Sequence, residues 1–368
     1  MIHIYKPYIS KRTKGFVSDA VESTWISSSG KYKDLSCELI REKLKIKNVL
    51  LTSSGTTATH LLSKALLYKH PEIDTVIVPN NVYVAAWNSF VYDNKFKLVP
   101  VKADVDTWNY DLKELSKKIN SEKQKVAVLI VPNLGNILNL PKLKRQYPDV
   151  VFVEDNCEGL FGTYEGLYSG TASLASSLSF YGNKTITSGE GGAVLTDDDD
   201  LCMYLEKIHG QGQSESQRYV HNALGYNYRM TNVAAAILYG QLLDSDEIRE
   251  KKEDLFNFYT KSFNNIDELQ IQKIEEGTTH SKWMMGVRSS IQYDKVRDFL
   301  DINGIETRPM FYPMSAHEHL RNFAIPEEET EAALLNRDCF MIPSHPEVGQ
   351  EERRHIVRTL QKLTKLRI

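Results

Sequence analysis

The sequence predicts an α/β fold with a smaller second domain, and three features carry that expectation. Apolar runs at Val49–Leu51, Val76–Pro79, Val126–Pro132 and Val150–Val153 are short, and the stretches between them are long enough for crossover helices, the cadence of βαβ units. That cadence stops near residue 244 and gives way to a charged helix, Ser245–Phe263, then mixed segments and a basic terminal helix near Glu351–Lys365. A chain of 368 residues is also long enough for one large core with a satellite, because the buried fraction of the surface rises with length. We expect a large domain over 1–244, a small one over 245–368, and an N-terminal segment that packs on either.

Each element has its own reason. Thr57–Leu67 carries alanines and leucines at helical spacing, and Asn232–Leu243 is rich in alanine, so both read as helices packed on the sheet. The acidic run Asp197–Asp200 precedes a helical pattern that begins at Leu201, and carboxylates at a helix start are favoured by the macrodipole. No internal repeat, low-complexity linker or Pro/Gly-rich hinge marks a sharper domain boundary.

Composition narrows the function. Hydrophobic residues make up 41% and charged residues 25%, ordinary for a globular protein. The formal net charge of −3 lacks the basic field that dominates binding to nucleic acid or anionic lipid, so a nucleic-acid partner is not expected and any phosphate is bound locally. Cys37, Cys157, Cys202 and Cys339 are scattered without a C-x-x-C pair, which suggests reduced thiols in a cytoplasmic protein and no metal knuckle. No apolar run approaches the roughly eighteen residues a membrane span needs, so no membrane partner is expected.

The stretch Ser179–Gly192 sets Lys184 in a loop dense in glycine and small residues. Glycines let backbone approach a ligand, and a lysine whose amine is partly desolvated can lose its proton and attack an aldehyde. Read alone, a lysine in such a place is first of all a solvated surface lysine beside a turn. A phosphate-binding P-loop fails on register, since Asn183 separates Gly182 from Lys184 and Leu178 stands where the first glycine belongs. Asp155 closes the run Val150–Val153 and so lies at the C-terminal end of a buried strand, the edge where open α/β sheets bind ligands. It reads either as a partner for a cofactor's ring nitrogen or as a helix cap. Ser53–Thr57 sits between strand and helix, where amides and hydroxyls cradle a phosphate or simply cap the helix. Tyr83 reads as a ring-stacking residue or a core tyrosine.

In order along the chain, these segments resemble the DegT/DnrJ/EryC1/StrS family of sugar aminotransferases. Ser23–Gly30 is similar to its entry segment and Ser54-Gly55-Thr56 to its phosphate-binding turn. Val76–Pro79 with Tyr83-Val-Ala85 is similar to its stacking segment, Glu154–Glu158 to its acidic block and Ser179–Gly192 to its lysine loop. His209–Gly212 and Gly225–Asn232 complete the set. The resemblance implies the aspartate aminotransferase fold (fold type I), with a large mixed-sheet domain plus a smaller C-terminal α+β domain, and pyridoxal 5'-phosphate (PLP) as cofactor, with pyridoxamine phosphate (PMP) as its intermediate form. It further implies Lys184 as Schiff-base lysine and proton shuttle and Asp155 on the ring nitrogen. Glu158 would lie near the ring hydroxyl, Gly55, Thr56 and Ser179 would hold the phosphate, and Tyr83 would cover the ring. Asn227 would reach the phosphate of the partner subunit in a homodimer with shared sites. Arg229, Arg308 and Tyr312 would lie near substrate, with structural ion pairs as the alternative for the two arginines.

The wording of Phe180–Thr187 and Gly210–Gln213 is nearest to that family's perosamine synthases. The implied reaction moves an amino group from L-glutamate to C4 of a nucleotide-linked 4-keto-6-deoxyhexose, giving a perosamine- or viosamine-type product. A C3-specific sugar-nucleotide aminotransferase and a non-catalytic homologue that binds PLP or a sugar nucleotide are the alternatives. A PLP-dependent sugar dehydratase of the same fold characteristically has histidine where this chain has Lys184, and a nicotinamide oxidoreductase would need a G-x-G-x-x-G that is missing here. Two departures stand out. Val131-Pro-Asn-Leu-Gly135 replaces a V-H-L-Y-G, and around Cys157 the block Asn156-Cys-Glu-Gly159 stands in place of the more usual small alanines.

Overall fold

In the computed structural model, which describes residues 1–122 and 125–365, a seven-stranded sheet forms the larger core. Its strands are β1 (Asn48–Thr52), β2 (Thr75–Pro79), β3 (Lys97–Val101), β4 (Ala127–Ile130), β5 (Val151–Asp155), β8 (Ser176–Ser179) and β9 (Gly192–Thr196), in the order β1-β9-β8-β5-β4-β2-β3. Only β9 runs antiparallel to its neighbours, so the sheet is mixed. Every residue of β2 and β4 is buried, as continuous apolar strands covered on both faces should be. Pro100 is tolerated in β3 because that strand is an edge.

Helices cover both faces. They are α1 (Lys11–Glu22), α2 (Lys31–Leu44), α3 (Gly55–Lys69), α4 (Val84–Val91), α5 (Leu112–Ser121), α6 (Leu140–Gln146), α7 (Asp199–His209) and α8 (Asn232–Leu243). The alanines and leucines of α3 pack with Val76, Val78, Leu129 and Val153 in one apolar cluster, and α8 joins α2, β1 and β9 in another. The acidic run behaves as expected, with the Asp198 side chain accepting from the Leu201 amide at 2.9 Å and Asp199 and Asp200 in the first turn of α7.

A single residue, Asp244, separates α8 from α9 (Ser245–Phe263). Beyond it, β10 (Leu269–Gln270), β12 (Met285–Ser289), β13 (Arg308–Pro309) and β14 (Cys339–Ile342) form an antiparallel sheet in the order β10-β12-β14-β13. It packs with α9, α10 (Tyr293–Ile302) and α12 (Gln350–Lys365), while α11 (Thr330–Asp338) leads into β14. A three-stranded patch of β6 (Thr163–Tyr164), β7 (Leu167–Tyr168) and β11 (Thr278–Thr279) stitches the two regions together.

The N-terminal segment packs on both. Ile2 bridges to Ile305, while α1 lies against α8. Among the described residues no helix is long and apolar enough to cross a membrane.

Candidate active site

The strands β1, β8, β5, β4 and β2 all point the same way, so their C-terminal ends share one edge of the sheet. Where β1 ends, Ser54 caps α3: its hydroxyl accepts from the Thr57 amide at 3.2 Å, and the Thr57 hydroxyl accepts from the Ser54 amide at 3.1 Å. That capping box uses Ser54 and Thr57 and leaves the amides of Gly55 and Thr56 at the head of a fifteen-residue helix, where an anion is favoured. A Cβ on Gly55 would stand 2.6 Å from Cβ of Ser179, so only glycine lets the helix start this close to the end of β8. Gly55 and Ser179 are thus brought together, with Thr56 next to Gly55 in the first turn of α3.

Asp155, at the end of β5, is buried. Its carboxylate accepts from the Cys157 amide at 3.2 Å and the Ser177 hydroxyl at 3.5 Å, both neutral donors. Burial raises its pKa, and Lys184 pulls it back down. Glu158, one turn on, accepts from the Leu134 amide at 2.8 Å and faces Nζ of Lys184 at 3.7 Å. Burial pushes Glu158 up to about 7, against the lowering influence of Lys184. The side chain of Lys184 is only 12% exposed, which removes the solvated-lysine reading. Two carboxylates and one amine therefore meet at one strand edge.

The segment that departs from the family wording reaches Glu158. Leu134 adopts a positive φ of 54°, which turns its amide onto Glu158. Asn133 is buried, donating from Nδ2 to the Asn81 carbonyl at 2.6 Å and from its amide to Asn109 at 3.0 Å, so it ties the exits of β4 and β2 together. Cys157 is packed beside Gly55, where the change affects the cradle's floor.

Sequence reasoning places Glu154 in the acidic block but gives it no role. This carboxylate is fully buried and accepts from the Gly170 amide at 3.1 Å and the Tyr164 hydroxyl at 3.3 Å, and burial lifts its pKa to about 7. A carboxyl whose folded pKa is raised contributes stability that is complete below its unfolded value and is lost as pH rises through the folded one. Glu154→Gln should accordingly gain on the parent by on the order of 1–3 kcal/mol between pH 5 and pH 8, read from denaturant melts; a difference independent of pH would contradict the assignment.

The remaining candidates are less enclosed. Tyr83 caps α4 with its ring 61% exposed and 6.2 Å from the ring of Phe311, so it is not a core tyrosine. Asn227 is exposed, while its neighbours Tyr226 and Tyr228 stack on each other and turn inward onto His60. Arg229 runs alongside Thr52 of β1, with a buried Nε that has no acceptor among the described residues. Arg308 pairs with Glu306 at 2.6 Å, the structural ion pair that was its alternative, and Tyr312 is exposed. Asn232 serves the fold, holding the Tyr32 amide and the Trp25 carbonyl.

A family model described as the DegT/DnrJ/EryC1/StrS aminotransferase family matches residues 7–361. The chain belongs to the DegT/DnrJ/EryC1/StrS aminotransferase family. It is 32% identical to the GDP-perosamine synthase of Escherichia coli O157:H7, over 98% of both chains. It is 34% identical to the GDP-perosamine synthase of Vibrio cholerae, over 87% of this chain and 88% of that one. Among solved structures it matches a putative sugar aminotransferase of Streptococcus pneumoniae in its PMP form (TM-score 0.90, 21% identity, the whole of both chains). It matches as well an E. coli GDP-4-keto-6-deoxy-D-mannose-3-dehydratase with bound hydrated PLP (TM-score 0.90, 20% identity, 98% of this chain and 100% of that one). At these identities the structural matches speak for the fold, which is the fold type I architecture expected from sequence. As a DegT-family member the chain is a PLP-dependent sugar aminotransferase.

The residues fit that cofactor. A helix start too tight for any Cβ suits a phosphate, a buried carboxylate held by neutral donors suits a protonated ring nitrogen, and an enclosed amine suits the aldehyde.

Proposed function

We propose that the protein transfers an amino group from L-glutamate to C4 of a GDP-linked 4-keto-6-deoxyhexose. The observation that carries this reading is an enclosed Lys184 amine beside Asp155 and Glu158, in a chain 30–34% identical to three GDP-perosamine synthases. In this reading the amides of Gly55 and Thr56 and the hydroxyl of Ser179 hold the cofactor phosphate, and Asp155 keeps the ring nitrogen protonated. When bound, PLP supplies an electron sink for carbanion character at the carbon next to the amino nitrogen. Lys184 Nζ takes the proton from the α-carbon of the donor and later returns a proton at C4 of the sugar, and Glu158 fixes the amine's position between these transfers. Tyr83 covers the ring, and Arg229 and Tyr312 approach the sugar nucleotide. Donor and acceptor use the same pocket in turn, so the kinetics are ping-pong.

The test is incubation with L-glutamate and a panel of GDP-, UDP- and dTDP-4-keto-6-deoxyhexoses, with mass detection of the product. The expected result is a 4-amino sugar from the GDP compound; amination at C3, or of the UDP or dTDP compounds alone, would displace the acceptor assignment.

The exposure of Asn227 supports its reaching a partner's phosphate in a homodimer. Mixing Lys184→Ala with Asn227→Ala subunits should restore about a quarter of the parental activity, since half the dimers are mixed and each rebuilds one of two sites. Mixtures no more active than the separate variants would place Asn227 in its own subunit's site or in none.

A further inference from the structure

Three contacts reach residues 183–184 from outside the large sheet. The Tyr5 hydroxyl donates to the Lys184 carbonyl. The indole Nε1 of Trp283 donates to the Asn183 carbonyl at 2.8 Å, and the same indole presents its face to Nζ of Lys184, 3.8 Å from the ring centroid. Trp283 lies in the passage from β11 to β12 and is 5% exposed, so its ring is fixed by packing. Behind it stands Lys252 of α9, a fully buried lysine whose amine donates to the carbonyls of Trp283 at 3.1 Å and Ser344 at 2.6 Å. Burial brings the Lys252 amine down to about 7. A buried amine serving two backbone carbonyls is costly compared with an apolar side chain, and what it secures is the position of those two segments.

We propose that Trp283 is a positioning residue for Lys184, holding the reacting amine on its aromatic face, and that Lys252 is the strut that keeps Trp283 in place. The proposal deepens the reading of Lys184 given above and rests on it. An aromatic face within about 6 Å attracts an ammonium and restricts where the side chain rests. Once the proton leaves, the same wall keeps the nitrogen aimed at the Asp155 and Glu158 side of the pocket. The small region of the chain thereby acts on chemistry housed in the large sheet.

The test uses apoprotein, PLP and PMP. With PLP, the amine condenses with the aldehyde carbon and one water leaves; borohydride added at intervals delivers hydride to that carbon, a proton comes from solvent, and the mass of the peptide carrying Lys184 counts attachment. PMP has no aldehyde, so its affinity reports the phosphate and ring contacts alone. Trp283→Leu should slow attachment about tenfold and Trp283→Phe, which keeps a π face but loses the Asn183 bond, about threefold, with PMP affinity within about twofold of the parent. Lys252→Met should slow attachment about threefold with PMP affinity equally preserved.

Attachment at the parental rate in the folded leucine variant would overturn the proposal, as would a PMP affinity that falls in step with the rate. Should the leucine variant fail to fold, the phenylalanine variant decides, and the parental rate there is the overturning result. Parental attachment in Lys252→Met would remove the strut. If the parent itself takes up no PLP at Lys184, the reading of the whole site fails instead, a different outcome.

Discussion

Lys184→Ala lowers kcat for amino transfer by roughly 10⁴-fold or more, because it removes the amine that the structure encloses with Asp155 and Glu158. The loss has two sources. Without Nζ the cofactor has no covalent anchor in the pocket, and no base remains in place to take the proton from the donor carbon. On the proposed reading PMP affinity, in contrast, rests on the cradle at Gly55, Thr56 and Ser179 and should change little. Stopped-flow measurement of the glutamate half-reaction checks the first statement and calorimetry with PMP the second. Glu158→Gln is a useful companion, since it keeps the acceptor for the Leu134 amide while removing the charge facing the lysine.

Asp155→Asn carries the second largest effect, a fall of about 10²–10³-fold in kcat with a much smaller change in KM. The asparagine is close to isosteric and can still accept from the Cys157 amide and the Ser177 hydroxyl, so the fold should survive. On the proposed reading, what disappears is the charge that would hold a ring proton in a buried place, and with it the electron sink. A variant working at the parental rate would move the ring-nitrogen role elsewhere.

Much of the fold was legible because β2 and β4 are continuous apolar strands, β5 opens on the apolar run Val151–Val153, and α8 and α9 have unbroken helical patterns. The strand β8 was not. Its sequence Ser-Ser-Leu-Ser looks like a turn, yet all four residues are buried, because the Ser176 hydroxyl bonds the Gly170 carbonyl at 2.6 Å and Ser177 bonds Thr59 at 2.8 Å. Hydropathy has no means of seeing a strand whose polar groups are satisfied internally. β3 was hidden by Pro100, which an edge strand allows.

In the site, Lys184, Asp155 and Gly55 stood out because their residue types fall at strand ends and tight turns. Trp283 and Lys252 did not, since a lone tryptophan and a lysine within a charged helix give no local sign of what they pack against. Lys252 falls among exposed charges in the sequence, and only the convergence of α9, Trp283 and Ser344 shows its amine to be buried.

The central claim is that the Lys184 amine is the cofactor's attachment point, and reduction followed by peptide mass mapping tests it most directly. Protein incubated with PLP and treated with borohydride should carry one pyridoxyl group on the peptide containing Lys184, and the Lys184→Ala protein should carry none. A label on another lysine, or none on well-folded parent, would contradict the account.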